Sequence, residues 1–115
     1  METLNKIDDH WVPIQIKVFS RWVSCHLQPN IDHDIEDITK DLSNGVILCK
    51  LAQNLTKKQA PRKWSSQPKL YIDMIQNCEL AIDMFQKDGV KIVGISGKDI
   101  YDRNQKLILG LIWSL

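Results

Sequence analysis

Apolar residues recur at helical spacing through four long stretches of this sequence, and this pattern most strongly limits the folds it can adopt. Each stretch places its large apolar side chains on one face of a helix and its charged side chains on the other. The pattern predicts helices over about 11–28, 42–56, 70–87 and 103–115. The remaining apolar run, 90–95, has no second strand to pair with, so we interpret it as an extended connector. The sequence therefore predicts an all-α domain.

The second helix is apolar over more than half of its circumference, so we expect it to lie centrally in the domain. Asp41 and Ser43 are the candidate N-caps for its start. The Asn44-Gly45 pair is typical of a hairpin turn, but the flanking residues do not alternate, so a hairpin is rejected. The residues most strongly expected in the core are Phe19, Trp22, Leu48 and Phe85.

The last helix, predicted from Arg103 onward, is apolar on two sides. Asp102 and Gln105 have the spacing of a capping box at its start. Leu109 and Trp113 lie on the second side. The first side carries Leu107, Ile108, Leu111, Ile112 and Leu115. Such a helix either lies deep in the domain or offers one side to a partner. Because the sequence contains no C-terminal cap for this helix, we expect the chain to be part of a longer protein.

The composition is that of one ordinary soluble domain. The chain has 115 residues, of which 43% are apolar, and 15 basic against 14 acidic residues give a net charge of +1. This balance excludes a disordered chain and argues against a nucleic-acid partner, which usually requires a strongly basic domain. No apolar run approaches the roughly 20 residues of a membrane span, and the polar N-terminus predicts no signal peptide. Three cysteines without close pairs indicate reduced thiols and a cytoplasmic location.

The motifs support neither catalysis nor metal binding. Cys25 and His26 are adjacent, so on a helix they point about 100° apart and cannot act as a nucleophile and base pair. Cys49 and Cys78 fall on apolar faces, where we expect them to behave as small buried side chains. The acidic run within 32–37 lacks the glycine and the final glutamate of a calcium loop. We therefore expect no enzymatic activity, no cofactor and no metal.

Charge is distributed unevenly despite the neutral total. Residues 56–69, here called the basic loop, contain five basic side chains and no acid, whereas residues 31–41 contain five acids and one lysine. With Trp64 and two prolines, the basic loop is suited to an acidic partner surface. The alternative is a solvated loop whose tryptophan folds back on the core, and composition alone does not choose between the two.

Several motifs together resemble the calponin-homology domain, specifically the first of the two that occur in tandem in actin-binding proteins. The first three helices contain KVFSRWVSCHL, DLSNGVILCKL and NCELAIDMF. KIVGIS and KDIYDRNQKLILGLIWSL follow, and the LGLIW within the second is the most specific. The resemblance covers residues 11–115, after a segment, 1–10, that we expect to be flexible. The loop is most similar to that of filamin, with α-actinin, spectrin and dystrophin relatives as alternatives.

The resemblance implies four main helices joined by short helices or turns, and binding of filamentous actin without enzymatic activity. It also implies a second calponin-homology domain elsewhere in the full-length chain, and a place on the actin cytoskeleton. The residues implied to face actin lie on three surfaces. They are Lys17, Arg21 and Ser24 on the first helix, Lys57, Lys58, Arg62, Lys63 and Trp64 in the basic loop, and Lys98, Asp99, Asp102, Arg103, Asn104, Gln105, Lys106, Leu107 and Leu109 around the last helix. Trp64, Leu107 and Leu109 are the candidate apolar anchors.

Two other functions remain as alternatives. Related single domains are adaptors for signalling partners rather than for actin. The basic loop is also suited to an acidic phospholipid surface.

One departure from the family pattern lies before the last helix, where Asp-Gly-Asn is replaced by Asp102-Arg103-Asn104. If the family glycine has a positive φ, arginine is strained at this position. If the glycine is the first helical residue, arginine is only unfavourable near the positive end of the helix dipole.

Overall fold

The computed structural model describes residues 11–27 and 35–115, except for the side chain of Trp11. These residues form six helices and no strand. The helices are α1 (Trp11–Leu27), α2 (Ile38–Asp41), α3 (Val46–Thr56), α4 (Tyr71–Lys87), α5 (Gly97–Tyr101) and α6 (Gln105–Ser114). The prediction of an all-α fold with four main helices is confirmed, and α2 and α5 are the short connecting helices.

Helix α3 lies centrally, as its apolar circumference predicts. It packs most extensively against α4 and also contacts α1. Leu48 and Leu51 of α3 and Phe85 of α4 are almost completely buried in this core. Burial of each such side chain contributes about 1.5–3 kcal/mol to the free energy of unfolding.

The start of α3 differs from the prediction. Residues 42–45 form a turn rather than helix, and Asp41 instead ends α2, so neither Asp41 nor Ser43 caps α3. The N-cap is Gly45, and Asn44 Oδ1, one residue earlier, accepts a hydrogen bond from the Val46 backbone N at 2.9 Å. Gly45 follows with φ +79°, and a Cβ at this position would collide with Asn77 on α4. The turn thus requires glycine for both its backbone conformation and its close approach to α4.

The start of α6 is also later than predicted. Helix α6 begins at Gln105 instead of Arg103, and its N-cap is Asn104, whose Oδ1 accepts a hydrogen bond from Leu107 N at 3.2 Å. The proposed capping box between Asp102 and Gln105 is therefore wrong. A capping box does occur one helix earlier, where the Asp99 carboxylate accepts from Ser96 N at 2.9 Å at the start of α5.

The connector of residues 90–95 forms no strand, as expected. Its Ile92 side chain is buried, and the Ile92 carbonyl accepts a hydrogen bond from Gln86 Nε2 at 3.0 Å. Its neighbour Val93 is 89% exposed. The Val90 N also donates to Phe85 O at 3.0 Å, so one buried apolar side chain and two hydrogen bonds hold the connector against α4.

Two of the four strongest core predictions are wrong. Leu48 and Phe85 are buried, whereas Phe19 and Trp22 are only half-buried and pack against the edge of the core. The Phe19 ring lies 6.2 Å from the ring of Trp113. The aromatic face of α1 thus covers the rim of the core instead of filling its centre.

No helix within the described residues is long and apolar enough to cross a membrane.

Candidate functional site

Helix α1 presents only part of the surface predicted for it. Lys17 and Arg21 are exposed, but Ser24 is 5% exposed and its Oγ accepts a hydrogen bond from Ile35 N at 2.8 Å. Ser20 makes a similar bond, accepting from Ile38 N at 2.9 Å. The prediction that Ser24 faces a partner is therefore wrong, because Ile35, before α2, lies against this face and bonds the hydroxyl.

Lys17 and the start of α6 line one groove. The groove is lined by Ile16 and Lys17 of α1, by Glu36 before α2, and by Gln105 and Lys106 of α6. The first and third predicted surfaces are thus brought together. The facing charges have both signs, so this groove is not a uniformly basic surface. Residues 1–10 and 31–34, predicted to be a flexible segment and part of an acidic run, lie outside the described residues.

The charged side chains of the basic loop face solvent. The side chains of Lys57, Lys58, Arg62, Lys63 and Lys69 are all exposed. Lys57 forms the C-terminal cap of α3 in left-handed backbone, with φ 59°. The Lys58 Nζ lies 3.4 Å from Asp88 Oδ1 at the end of α4, and both partners remain partly solvated. Such a pair contributes at most about 1 kcal/mol, so the loop keeps its positive character.

Trp64 folds back against the domain. It is half-buried and packs against the core, and its Nε1 donates a hydrogen bond to Gln53 Oε1 on α3 at 3.4 Å. The loop therefore combines the two alternatives left open by composition, because its tryptophan packs inward while its cations face solvent. The next residue, Ser65, is bonded through its backbone to the side chain of Asn77.

Asn77 and Gln53 are two contributors to this surface that sequence reasoning missed. Asn77 is 3% exposed on α4, on the same face as the buried Cys78 and Ala81. A polar side chain on a buried apolar face is normally hydrogen-bonded. The position of Asn77 on the apolar face of its helix was therefore the sequence signal for a structural hydrogen bond. Gln53 gives no such signal, because it lies at the edge of the apolar face of α3.

The surface around the start of α6 is only partly available to a partner. Arg103, Gln105 and Lys106 are exposed, whereas Leu109 is 4% exposed and belongs to the core. The prediction of Leu109 as an anchor is therefore wrong, and Leu107 is half-buried. The side chains of Asp99 and Asn104 are used as caps of α5 and α6.

Lys98 of α5 and Asp102, the C-cap of that helix, form an exposed pair. The Lys98 Nζ lies 2.7 Å from Asp102 Oδ2, and this hydrogen bond, together with the charge attraction, raises the pKa of Lys98. Each of these two predicted contacts therefore has a neighbour of opposite charge. A partner has to engage them as a pair or separate them.

The two buried cysteines, Cys49 and Cys78, give no reactive site. Burial raises the pKa of the Cys49 and Cys78 thiols from 9.0 to about 12, so both stay protonated near neutral pH. The Cys49 Sγ donates to Asn77 O at 3.2 Å. A buried, protonated thiol is a poor nucleophile. Within the described residues, no group of three or more His, Cys, Asp or Glu side chains could hold a metal ion.

The helix order and the loop between α3 and α4 agree with a known family. The family model of the calponin homology (CH) domain matches residues 13–115. The chain belongs to the calponin homology domain family. The resemblance noted from its motifs is thereby confirmed.

Relatives of this CH domain occur within much longer proteins. Filamin-A of Drosophila melanogaster is 40% identical over 108 residues, which are 94% of this chain and 5% of that protein. Filamin-C of Rattus norvegicus is 36% identical over 94% of this chain and 4% of that protein. Cortexillin-1 of Dictyostelium discoideum is 37% identical over 91% of this chain and 24% of that protein. The chain thus spans less than a third of the length of each of these relatives.

A solved structure has the same fold. The actin-crosslinking core of Schizosaccharomyces pombe fimbrin aligns with a TM-score of 0.76 over 94% of this chain and 24% of that chain. The sequence identity is 24%, so the likeness supports the CH fold alone.

Proposed function

We propose that this CH domain binds filamentous actin as the first CH domain of a filamin-like crosslinking protein, without enzymatic activity. The observation that carries the proposal is the 40% identity to filamin-A over 94% of the chain. The fold it shares with the actin-crosslinking core of fimbrin is in keeping with it. The proposed location is the cytoplasm, on the actin cytoskeleton, where free thiols such as Cys49 and Cys78 remain reduced.

The basic loop would supply the electrostatic part of binding. Arg62 and Lys63 are exposed at its centre, and no acid lies within the loop. The resemblance implies an acidic actin surface, toward which these cations would steer the encounter. Because charges are screened beyond about 8 Å at physiological ionic strength, binding through the loop should weaken as salt increases.

The apolar part of binding falls to fewer residues than the sequence predicts. Leu109 is buried, which leaves Leu107 and the exposed edge of Trp64 as candidate anchors. Both are half-buried, and Trp64 is packed against the core. Anchors held by packing lose little side-chain entropy on binding.

Co-sedimentation with filamentous actin tests the proposal. Saturable binding is expected, with an affinity that falls between low and physiological salt. Circular dichroism has to show a folded domain at both salt concentrations. A folded domain that stays in the supernatant under both conditions would contradict actin binding by this domain.

We also propose a second CH domain in the full-length protein. Trp113 on α6 is 57% exposed and lies beside the half-buried Phe19. Because contiguous exposed apolar surface often marks an interaction site, these neighbouring rings are the proposed contact for the second domain.

An acidic phospholipid surface is the second candidate partner. The observation that favours it is the cluster of exposed cations in the basic loop. Pelleting with phosphatidylserine-containing vesicles, compared with neutral vesicles, distinguishes it from actin binding. Binding to neither actin nor vesicles would favour an adaptor role toward a signalling protein.

A further inference from the structure

The basic loop is long for a segment without regular structure. Residues 57–69 contain neither helix nor strand. Structureless connections of more than about 12 residues are uncommon in compact domains unless they are functional or disordered. A disordered loop would have to be ordered when a partner binds, and the lost entropy would lower the affinity.

One side-chain oxygen joins two points of this loop. Gln53 Oε1 on α3 accepts a hydrogen bond from Ala60 N at 3.2 Å and another from Trp64 Nε1 at 3.4 Å. The two donors are four residues apart, so this oxygen closes residues 60–64 into a short bridge. Pro61, whose ring fixes φ, lies inside the bridge and further limits its motion. Arg62 and Lys63 lie at its tip and are exposed.

A second amide fixes the residue that follows this bridge. Asn77 Oδ1 accepts from Ser65 N at 3.0 Å, and Asn77 Nδ2 donates to Ser65 O at 2.8 Å. This pairing of one side-chain amide with both backbone groups of Ser65 resembles the two-bond exchange between neighbouring strands. Asn77 Nδ2 also donates to Asn44 O at 3.2 Å, which joins the loop to the turn before α3.

We propose that Gln53 and Asn77 are positioning residues that hold Arg62 and Lys63 in the arrangement that binds the filament. Asn77 is buried and Gln53 is half-buried, so both act through the loop backbone and Trp64 rather than by touching a partner. This inference rests on the proposed function. It assigns the loop's order to two specific amides and not to apolar packing of Trp64 alone.

Hydrogen exchange followed by NMR tests the ordering without any partner. Gln53→Leu removes the acceptor at similar volume, so exchange of the Ala60 amide and the Trp64 indole should become about tenfold faster. Gln53→Glu keeps an acceptor oxygen, so its exchange rates should stay close to those of the wild type. Gln76→Leu is the matched control, because Gln76 is an exposed amide beside Asn77 that makes no hydrogen bond to the described residues. Unchanged exchange in Gln53→Leu would overturn the ordering role.

Asn77→Asp gives an independent test of the second amide. The aspartate keeps an acceptor for Ser65 N but places a second oxygen opposite Ser65 O, where a donor is needed. Exchange of the loop amides should become faster. Because Asn77 is buried, this variant also lowers the melting temperature, so the Gln53 variants decide the proposal if it fails to fold.

Co-sedimentation then connects loop order to binding. The dissociation constant for filamentous actin should rise about fivefold in Gln53→Leu and stay unchanged in Gln76→Leu. Faster exchange with unchanged actin affinity would overturn the positioning role. Absence of binding by the folded wild type would instead contradict the proposed function itself, and would overturn the positioning role toward actin while leaving the exchange result on loop order intact.

Discussion

At the scale of single residues, two positions other than glycine have left-handed backbone in the described part of the chain. They are Lys57 with φ 59° and Arg103 with φ 60°. Arg103 lies between α5 and α6, and its N donates to Ile100 O at 3.0 Å. The first alternative drawn from the family pattern is therefore correct: this position has a positive φ. A side chain with a Cβ costs about 1–2 kcal/mol in this conformation.

Arg103→Gly should therefore stabilise the domain. We expect the free energy of unfolding to rise by about 1 kcal/mol and the melting temperature by about 4 °C. Arg103→Ala is the matched control, because it removes the same charge but keeps the Cβ at positive φ. Thermal unfolding followed by circular dichroism measures both variants, and equal melting temperatures for glycine and alanine would contradict the assigned strain.

The cysteines should differ sharply in reactivity. Cys25 is exposed, whereas Cys49 and Cys78 are buried with pKa values raised to about 12. Iodoacetamide at pH 8 should modify Cys25 alone in the native domain, as read by mass spectrometry. Rapid native-state modification of Cys49 or Cys78 would contradict their burial.

The same pKa shifts predict loss of stability in alkali. In the unfolded chain these thiols ionise near pH 9, whereas in the folded domain they ionise only near pH 12. The neutral thiols are fully stabilising below pH 9, and this contribution decreases as the pH rises from 9 to 12. Denaturant unfolding at several pH values should show a smaller decrease in Cys49→Ala than in the wild type.

At the scale of helices and loops, hydrophobic periodicity predicted the long helices because it reports burial along one face. The helix starts were predicted less well, because they depend on contacts distant in sequence. Gly45 ends a turn whose shape is set by its close approach to Asn77, 32 residues later. No local pattern around Asp41 or Ser43 contains that contact, so the most obvious capping residues were chosen instead.

Gly45→Ala tests that contact. Alanine combines an unfavourable positive φ with a collision against Asn77, so we expect a loss of about 2–4 kcal/mol in the free energy of unfolding. Gly89→Ala is the control, because its φ is +96° but a Cβ would meet no atom within 4 Å. Chemical denaturation should show a clearly larger loss for Gly45→Ala, and equal losses would mean that backbone conformation alone explains the glycine.

The same distinction explains which of the predicted site residues are exposed. The exposed lysines of the basic loop follow directly from charge, since solvated loops rarely bury cations. Ser24 and Leu109 were misplaced because the resemblance and the helical wheel assign a residue to a position on its own helix but contain no information on what covers that face. Ile35 covers Ser24, and the burial of Leu109 shows that the core extends around more of α6 than one stripe.

At the scale of the whole molecule, a nearly neutral chain presents a basic loop on one side and exposed aromatic surface elsewhere. The net charge is +1, yet residues 56–69 carry five cations without an acid. Trp113, 57% exposed, is remote in sequence from that loop. The proposed partners of the two features differ: the filament for the loop and a second CH domain for the tryptophan.

Trp113 should make the isolated domain self-associate. Sedimentation velocity is expected to show a sedimentation coefficient that increases with protein concentration, because exposed apolar surface without its partner promotes association. Trp113→Gln should abolish the increase, whereas Leu70→Gln, which removes another exposed apolar side chain, should not. Persistence of the association in Trp113→Gln would contradict this assignment of the surface.

Charge reversal in the basic loop tests the central claim most directly. Arg62→Glu with Lys63→Glu changes the two exposed cations at the loop's tip, and Lys40→Glu with Lys91→Glu makes the same change in net charge at exposed lysines outside the loop. In low-salt co-sedimentation with filamentous actin, the loop variant should bind about tenfold more weakly than the wild type, and the control should lose little affinity. Equal losses in the two variants, or no loss in either, would contradict binding through the basic loop.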